Sequence, residues 1–238
     1  MKPRAFPSEI CYLVSIVLLS FAVAMVAAAG FGVSMVVAPA YVLSLKVPFL
    51  TFGQSEYVVQ ALLFAVFCLL MRRVKLVYFS SFLTCLIYGA VLDLWRAEVP
   101  MLNPAVTPPG SMRMPVRIVL FACGMLLTAF SVALFYRTYL YPQVYDFFVK
   151  GVSLRYGLNM TKFKIASDVC SLAVAVVLTL IFFRRFNGIG VGTLIMTALN
   201  GLLIGAFGKG IDRLFVFRPL LPAFAKMFDL TENAPQNA

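Results

Sequence analysis

The sequence predicts an all-α, polytopic membrane helix bundle, and three observations carry that assignment. Hydrophobic residues make up 62% of the 238 and charged residues 12%, well beyond the roughly 45–50% apolar content of a soluble domain. Apolar stretches with almost no charge recur at 10–29, 57–71, 76–94, 118–136, 169–183 and 191–207. Each is near the roughly 17–25 residues that a helix needs to cross hydrocarbon, the shorter ones drawing on neighbouring residues. Rich in Leu, Val and Phe, they lack the two-residue alternation of a barrel strand, so helices must satisfy the backbone within lipid.

Taken in order, the first stretch follows Lys2 and Arg4 and ends in Ala27-Ala28-Ala29-Gly30, which resembles a secretory signal with small residues at its cleavage site. Its Phe21-Ala22-Val23-Ala24-Met25 recurs as Phe130-Ser131-Val132-Ala133-Leu134, so it is expected to stay as a membrane helix. An awkward segment follows at 32–52, broken by Gly32, Pro39 and Pro48. Two further helices are joined by a short basic turn at Arg72-Arg73. A loop with Pro100, Pro104, Pro108, Pro109 and Gly110 then divides the chain. The order repeats as a long helix, a broken segment at 138–162 with Pro142, Gly151 and Gly157, and two helices about Arg184-Arg185.

The halves also align directly. Residues 55–89 match 167–201 without a gap, placing Ser55-Glu56 on Ser167-Asp168, Arg72-Arg73 on Arg184-Arg185 and Gly89 on Gly201. Five of those 35 positions are identical, and the weight of the match lies in its polar coincidences, because leucine-rich helices resemble one another cheaply. One membrane domain is expected, with repeat one at about 10–95, a linker at about 96–116, repeat two at about 117–212 and an amphipathic tail at 213–238. Each repeat holds three spans and one short broken or amphipathic helix; four spans each is the alternative. Three spans make the repeats inverted and four make them parallel. With a cytoplasmic N-terminus, 14 Lys and Arg lie inside and six outside in either case, so the positive-inside rule places both termini in the cytoplasm without choosing between them.

Composition also bounds the chemistry. The net charge of +11 comes from basic residues at span ends rather than on one polar face, which argues against nucleic acid. The five cysteines lie in or beside apolar spans without CxxC spacing and histidine is absent, so no disulfide framework, metal site or cofactor is expected. No nucleophile–base pair points to an enzyme. Gly188-Ile189-Gly190-Val191-Gly192 lacks the flanking strand of a dinucleotide fingerprint.

Several strings resemble the YitT/YczE-like family of bacterial membrane proteins. Gly190-Val191-Gly192-Thr193-Leu194 with Ala198, Gly201 and Gly205 is similar to its closing signature. Pro142…Asp146 followed by Ser153-Leu154-Arg155-Tyr156-Gly157-Leu158 resembles its P-x-D and S-x-(K/R)-x-G-L patterns, and Gly32-Val33-Ser34 and Gly89…Asp93 resemble two first-half elements. Where many relatives carry a P-W-D-like string, this chain has Met35-Val36-Val37-Ala38-Pro39. The resemblance implies a bacterial inner-membrane protein with a transport or accessory role and no cofactor.

Interrupted hydrophobic segments at matching positions of two halves are the best sequence pointer to a transporter's binding site. The candidates are Asp146, Asp168 and Glu56 for a cation or proton, with Tyr41, Tyr145 and Asn200 orienting the ligand. The plainer reading of Glu56 and Asp168 is a carboxylate in the first helical turn. That of Asp146 is an interfacial pair with Lys150, and that of Asp93 a pair with Arg96. Gly89, Gly201 and Gly205 are read as helix-packing positions, and the twin arginines as headgroup contacts. The expected function is a small secondary transporter or substrate-binding membrane module with a cavity between the repeats. The competing expectation is a non-transporting accessory protein. Partners are the bilayer, a small-molecule or ion ligand, and a second copy or partner subunit.

Overall fold

The computed structural model describes residues 4–72, 78–222 and 225. Within them helices follow one another as long, short, long, long, twice over. The first half holds α1 (Ser8–Ala29), α2 (Ala38–Lys46), α3 (Phe52–Met71) and α4 (Phe79–Glu98). The second holds α5 (Met114–Phe135), α6 (Val144–Tyr156), α7 (Met160–Phe183) and α8 (Val191–Leu214). Two short strands flank them, β1 (Arg4–Pro7) and β2 (Phe215–Arg218).

Local chemistry sets the boundaries. α1 ends where Gly30 adopts a left-handed conformation, φ 69°, the usual helix stop. α2 opens on Pro39 within its first turn and ends before Pro48, since proline tolerates only a helix start and disfavours helix in the residue before it. Thr51 and Gln54 form a capping box at the start of α3, and Asn159 caps α7 by accepting from the Lys162 N–H. α6 lies between Pro142 and left-handed Gly157. α3 and α7 both stop on a left-handed arginine, Arg72 at φ 51° and Arg184 at φ 53°, the two non-glycine residues with positive φ among those described.

Side-chain contacts fix the helix directions. Arg117 of α5 donates to the Ala29 carbonyl at 2.8 Å, and Cys11 of α1 lies 3.7 Å from the Leu134 carbonyl. α1 and α5 therefore run antiparallel, crossing where Gly124 rests on Ala22 and Val26. Tyr12 meets Thr84, and Phe21 packs on Trp95, so α4 runs parallel to α1. Phe130 meets Phe207 and Arg137 pairs with Asp212, so α8 runs parallel to α5. α3 returns antiparallel to α4, with Gly53 beside Gly89 and Phe67 beside Tyr78. The first half thus runs out, back and out, and the second half runs in the opposite sense.

The packing divides into two groups. α4, α1, α5 and α8 form a row, each against the next. α2, α3, α6 and α7 form a closed ring, in which α2 packs on both α3 and α7 and α6 packs on the same two. Each short helix therefore contacts its own half and the other. An aromatic cluster of Phe64, Phe67, Tyr78, Tyr141 and Phe147 fills the space among α3, α4 and α6.

Among the described residues, five helices are long and apolar enough to cross a membrane: α1, α3, α5, α7 and α8. α4, expected as a sixth, is as long as α3 but carries Asp93, Arg96 and Glu98 in its last two turns. The segment expected as an amphipathic tail opens as a strand, in which Phe215 and Phe217 alternate onto Phe6 while β2 pairs in parallel with β1. Glu9 holds this segment in place by accepting from the Leu220 N–H at 2.9 Å, and β1 and β2 therefore share one side of the bundle. α7 starts at Met160, more than two turns ahead of the apolar stretch that marked it. Arg73 and the tail beyond 225 lie outside the described residues.

Candidate functional site

The N-terminus of α3 is closed without Glu56. Thr51 accepts from the Gln54 N–H, and Asp93 of α4 accepts from the Gly53 N–H at 2.8 Å and from the Thr51 hydroxyl at 2.5 Å. The carboxylate at this helix start is not the expected Glu56 but Asp93, reached through tertiary packing. Its expected partner Arg96 lies instead over the Phe52 ring, 5.2 Å from the centroid. Glu56 is beyond the first turn and has no exposed surface.

Around Glu56 three elements supply polar groups. Oε2 accepts from the Tyr145 hydroxyl of α6 at 2.9 Å and from Nε2 of Gln60 at 3.0 Å. Gln60 stands one turn on along the same face of α3, the i,i+4 spacing that brings side chains together. Its Oε1 accepts from the Val144 N–H at 3.1 Å, and its Nε2 also lies 3.3 Å from Oε1 of Gln143. α4 covers the third side, with the Cys85 thiol 3.9 Å from the Glu56 carbonyl. Burial, reinforced by the neighbouring Glu56, pushes the Tyr145 phenol well above its ordinary value, so it serves as a donor. Two atoms of the cluster have no partner among the described residues: Oε1 of Glu56 and Nε2 of Gln143. No cation pairs with Glu56 there; the ion pairs are Arg137–Asp212 and Lys164–Asp146.

Tyr145 and Glu56, both singled out from the sequence, thus meet. Asp146 does not join them. One residue further along a helix turns a side chain by about 100°, and Asp146 faces the other way, accepting from the Tyr136 hydroxyl at 2.9 Å and from Lys164 at 2.7 Å. Its expected partner Lys150 is exposed. Asp168 sits one turn beyond Lys164, half-buried and past the first turn of its helix, which corrects the capping reading for it as well. Lys164, Gln60 and Gln143 carry much of the polar structure without having been singled out. Only Gln60 left a sequence signal, its i+4 spacing from Glu56.

Tyr41 is buried with its ring 5.0 Å from that of Phe52. It lines a cavity of about 280 Å³ shared with Phe31, Asn187 and Gly188, at the end of the bundle away from β1 and β2. A second cavity, of about 310 Å³, lies beside Met25 and Pro115. Glu56, Asp146 and Asp168 line neither of these two cavities. Asn200 keeps a buried Oδ1 without a partner among the described residues. A Cβ at Gly89 would strike the Tyr57 ring. At Gly201 and Gly205 a Cβ would meet nothing within 4 Å among the described residues.

The model of a family described as a family of unknown function (DUF6198) matches residues 6–209. No curated protein and no solved structure matches.

Proposed function

We propose that this chain, which belongs to that family of unknown function, is a small secondary transporter made of two inverted units, with Glu56 as its coupling site. The observation that carries the reading is a carboxyl without exposed surface, one oxygen unpartnered, on a helix long and apolar enough to cross a membrane and at its contact with the other half. An ionisable residue in such a place is costly to keep and is a functional site by default. Inverted repeats with short, broken helices at their interface are the architecture in which such sites drive alternating access.

Support for two related units comes from exchange of partners. Exchanging the halves turns α1·α4 into α5·α8, α2·α3 into α6·α7 and α2·α7 into α3·α6, and all six contacts occur. The antiparallel α1 and α5 and the two left-handed arginines agree with an inverted relation. In this reading α4 is the sixth crossing helix, the termini are cytoplasmic, and the protein resides in a bacterial inner membrane. The motif likeness to the YitT/YczE-like family belongs to the same proposal.

The test is a thermal-shift screen of the purified protein against small amines, amino acids, vitamins and monovalent cations, followed by uptake of each hit into proteoliposomes. A ligand that binds the native state raises its apparent stability. A stabilising compound that is also taken up, with both effects lost in Glu56→Gln, is expected. The open faces of α7 and α8 and the unpartnered Asn200 carbonyl favour the second reading, an accessory subunit. A stoichiometric partner retained in mild detergent, together with no hit that is transported, would replace the transporter by it.

A further inference from the structure

We infer that the ion handled at this site is a proton, carried on Oε1 of Glu56, and that its binding and release act on the contact between α3 and α6. The inference rests on the transporter reading for what the proton is coupled to, but not for its residence on Glu56.

The cluster is poorly equipped for a metal ion. Hard cations take about six to eight oxygen ligands, and the side-chain oxygens beside Glu56 are already engaged. Oε1 of Gln60 accepts from the Val144 N–H, Oε1 of Gln143 faces the Gln60 amide, and the Tyr145 hydroxyl donates to Oε2. No second carboxylate is present, and no group of three His, Cys, Asp or Glu able to hold a metal occurs among the described residues. A proton needs only one lone pair, and Oε1 offers one.

Every element packed on α3 presents groups that are compatible with this role. From α4 come Cys85, Tyr88 and Asp93, the last engaged at the helix start; from α6 comes Tyr145, while Asp146 is turned to Lys164; from α2 comes Tyr41, one turn away beside Phe52. Arg96, the nearby cation, rests on Phe52 and not on Glu56. No fixed positive charge therefore holds Glu56 in its ionised form among the described residues.

In the binding step a hydronium ion or protonated buffer gives its proton to Oε1, an O–H bond forms, and water or the buffer base leaves; release reverses this, and nothing is oxidised or reduced. Oε2 keeps its bonds to Tyr145 and Gln60 in both states. Hydrogen bonds to an ionised acceptor are roughly twice as strong as neutral ones. Protonation therefore loosens the Tyr145–Glu56 tie, and that tie joins α6 of the second half to α3 of the first.

The test is infrared difference spectroscopy of the full chain in lipid nanodiscs without any solute, between about pH 4 and about pH 10, which spans the range of perturbed carboxyl groups. A protonated-carboxyl band that titrates, vanishes in Glu56→Gln and shifts its midpoint in Tyr145→Phe is expected. A carboxyl band unchanged in Glu56→Gln overturns the inference, as does one that responds to sodium or calcium at fixed pH and not to pH. Should Glu56→Gln fail to fold, Tyr145→Phe decides alone: a moved midpoint supports the assignment and an unmoved one overturns it. A titrating Glu56 without solute movement in proteoliposomes would sustain the proton site and remove the transporter. Solute movement without a Glu56 band would do the reverse.

Discussion

At the scale of single residues, Glu56 and Asp168 occupy matching sequence positions and come to differ through what covers them. Glu56 lies beneath α4 and α6, while the corresponding face of α7 lacks a comparable cover from α8, so Asp168 stays half-exposed beside Lys164. Removing the Tyr145 hydroxyl should separate packing from polarity. Tyr145→Phe is expected to lower stability in detergent by about 0.5–2 kcal/mol, the range for one hydrogen bond between membrane helices, as measured by chemical denaturation. No change would mean that the Glu56 contact contributes nothing to holding α6. The sequence marked Glu56 and Tyr145 as candidates because buried acids and broken helices are conspicuous in an apolar chain. It singled out Asp146 for its place in the second broken segment, and its plainer reading paired that carboxylate with Lys150, one turn on. The true partner, Lys164, arrives from another helix, and Gln143 is likewise placed by the fold of α6 after Pro142.

Among elements, the contrast between α3·α4 and α7·α8 has a visible cause. Gly53 and Gly89 let α3 and α4 approach closely. The aligned positions in the second half are Ile165 and Gly201, so one of the two glycines is missing and the close approach is lost. Gly89→Ala should therefore destabilise by about 1–3 kcal/mol, the usual cost of overpacking. Gly205→Ala, which meets nothing, should stay within about 0.5 kcal/mol. Equal losses in thermal unfolding would contradict this view of the two hairpins. Asp93→Ala removes a cap reached across helices and is expected to cost about 1 kcal/mol, with early fraying of α3 in hydrogen exchange. Helix existence was legible from apolar runs and from Pro and Gly punctuation. Helix starts were less so, since α7 gains its first turns from the Asn159 cap and from a stretch whose Lys164 finds its partner Asp146 only in three dimensions.

For the whole molecule, the duplicated order of long and short helices was visible in the sequence, whereas its handedness was not. Charge counts are the same for three or four crossings per half, because Arg72, Arg73 and Lys75 trade sides with Arg96, Arg113 and Arg117, and Arg137 trades sides with Lys46. Packing resolves the directions: α1 against α5, α4 beside α1 and α8 beside α5. This puts Arg72 at the end of the bundle that holds β1 and β2 and Arg184 at the other. Both are exposed, which makes the proposed inverted arrangement directly measurable. In a cysteine-free background, Arg72→Cys and Arg184→Cys are labelled in sealed, oriented vesicles with a membrane-impermeant maleimide. The inverted account predicts modification of Arg72→Cys only from the side of β1 and β2 and of Arg184→Cys only from the opposite side; labelling of both from one side would contradict it.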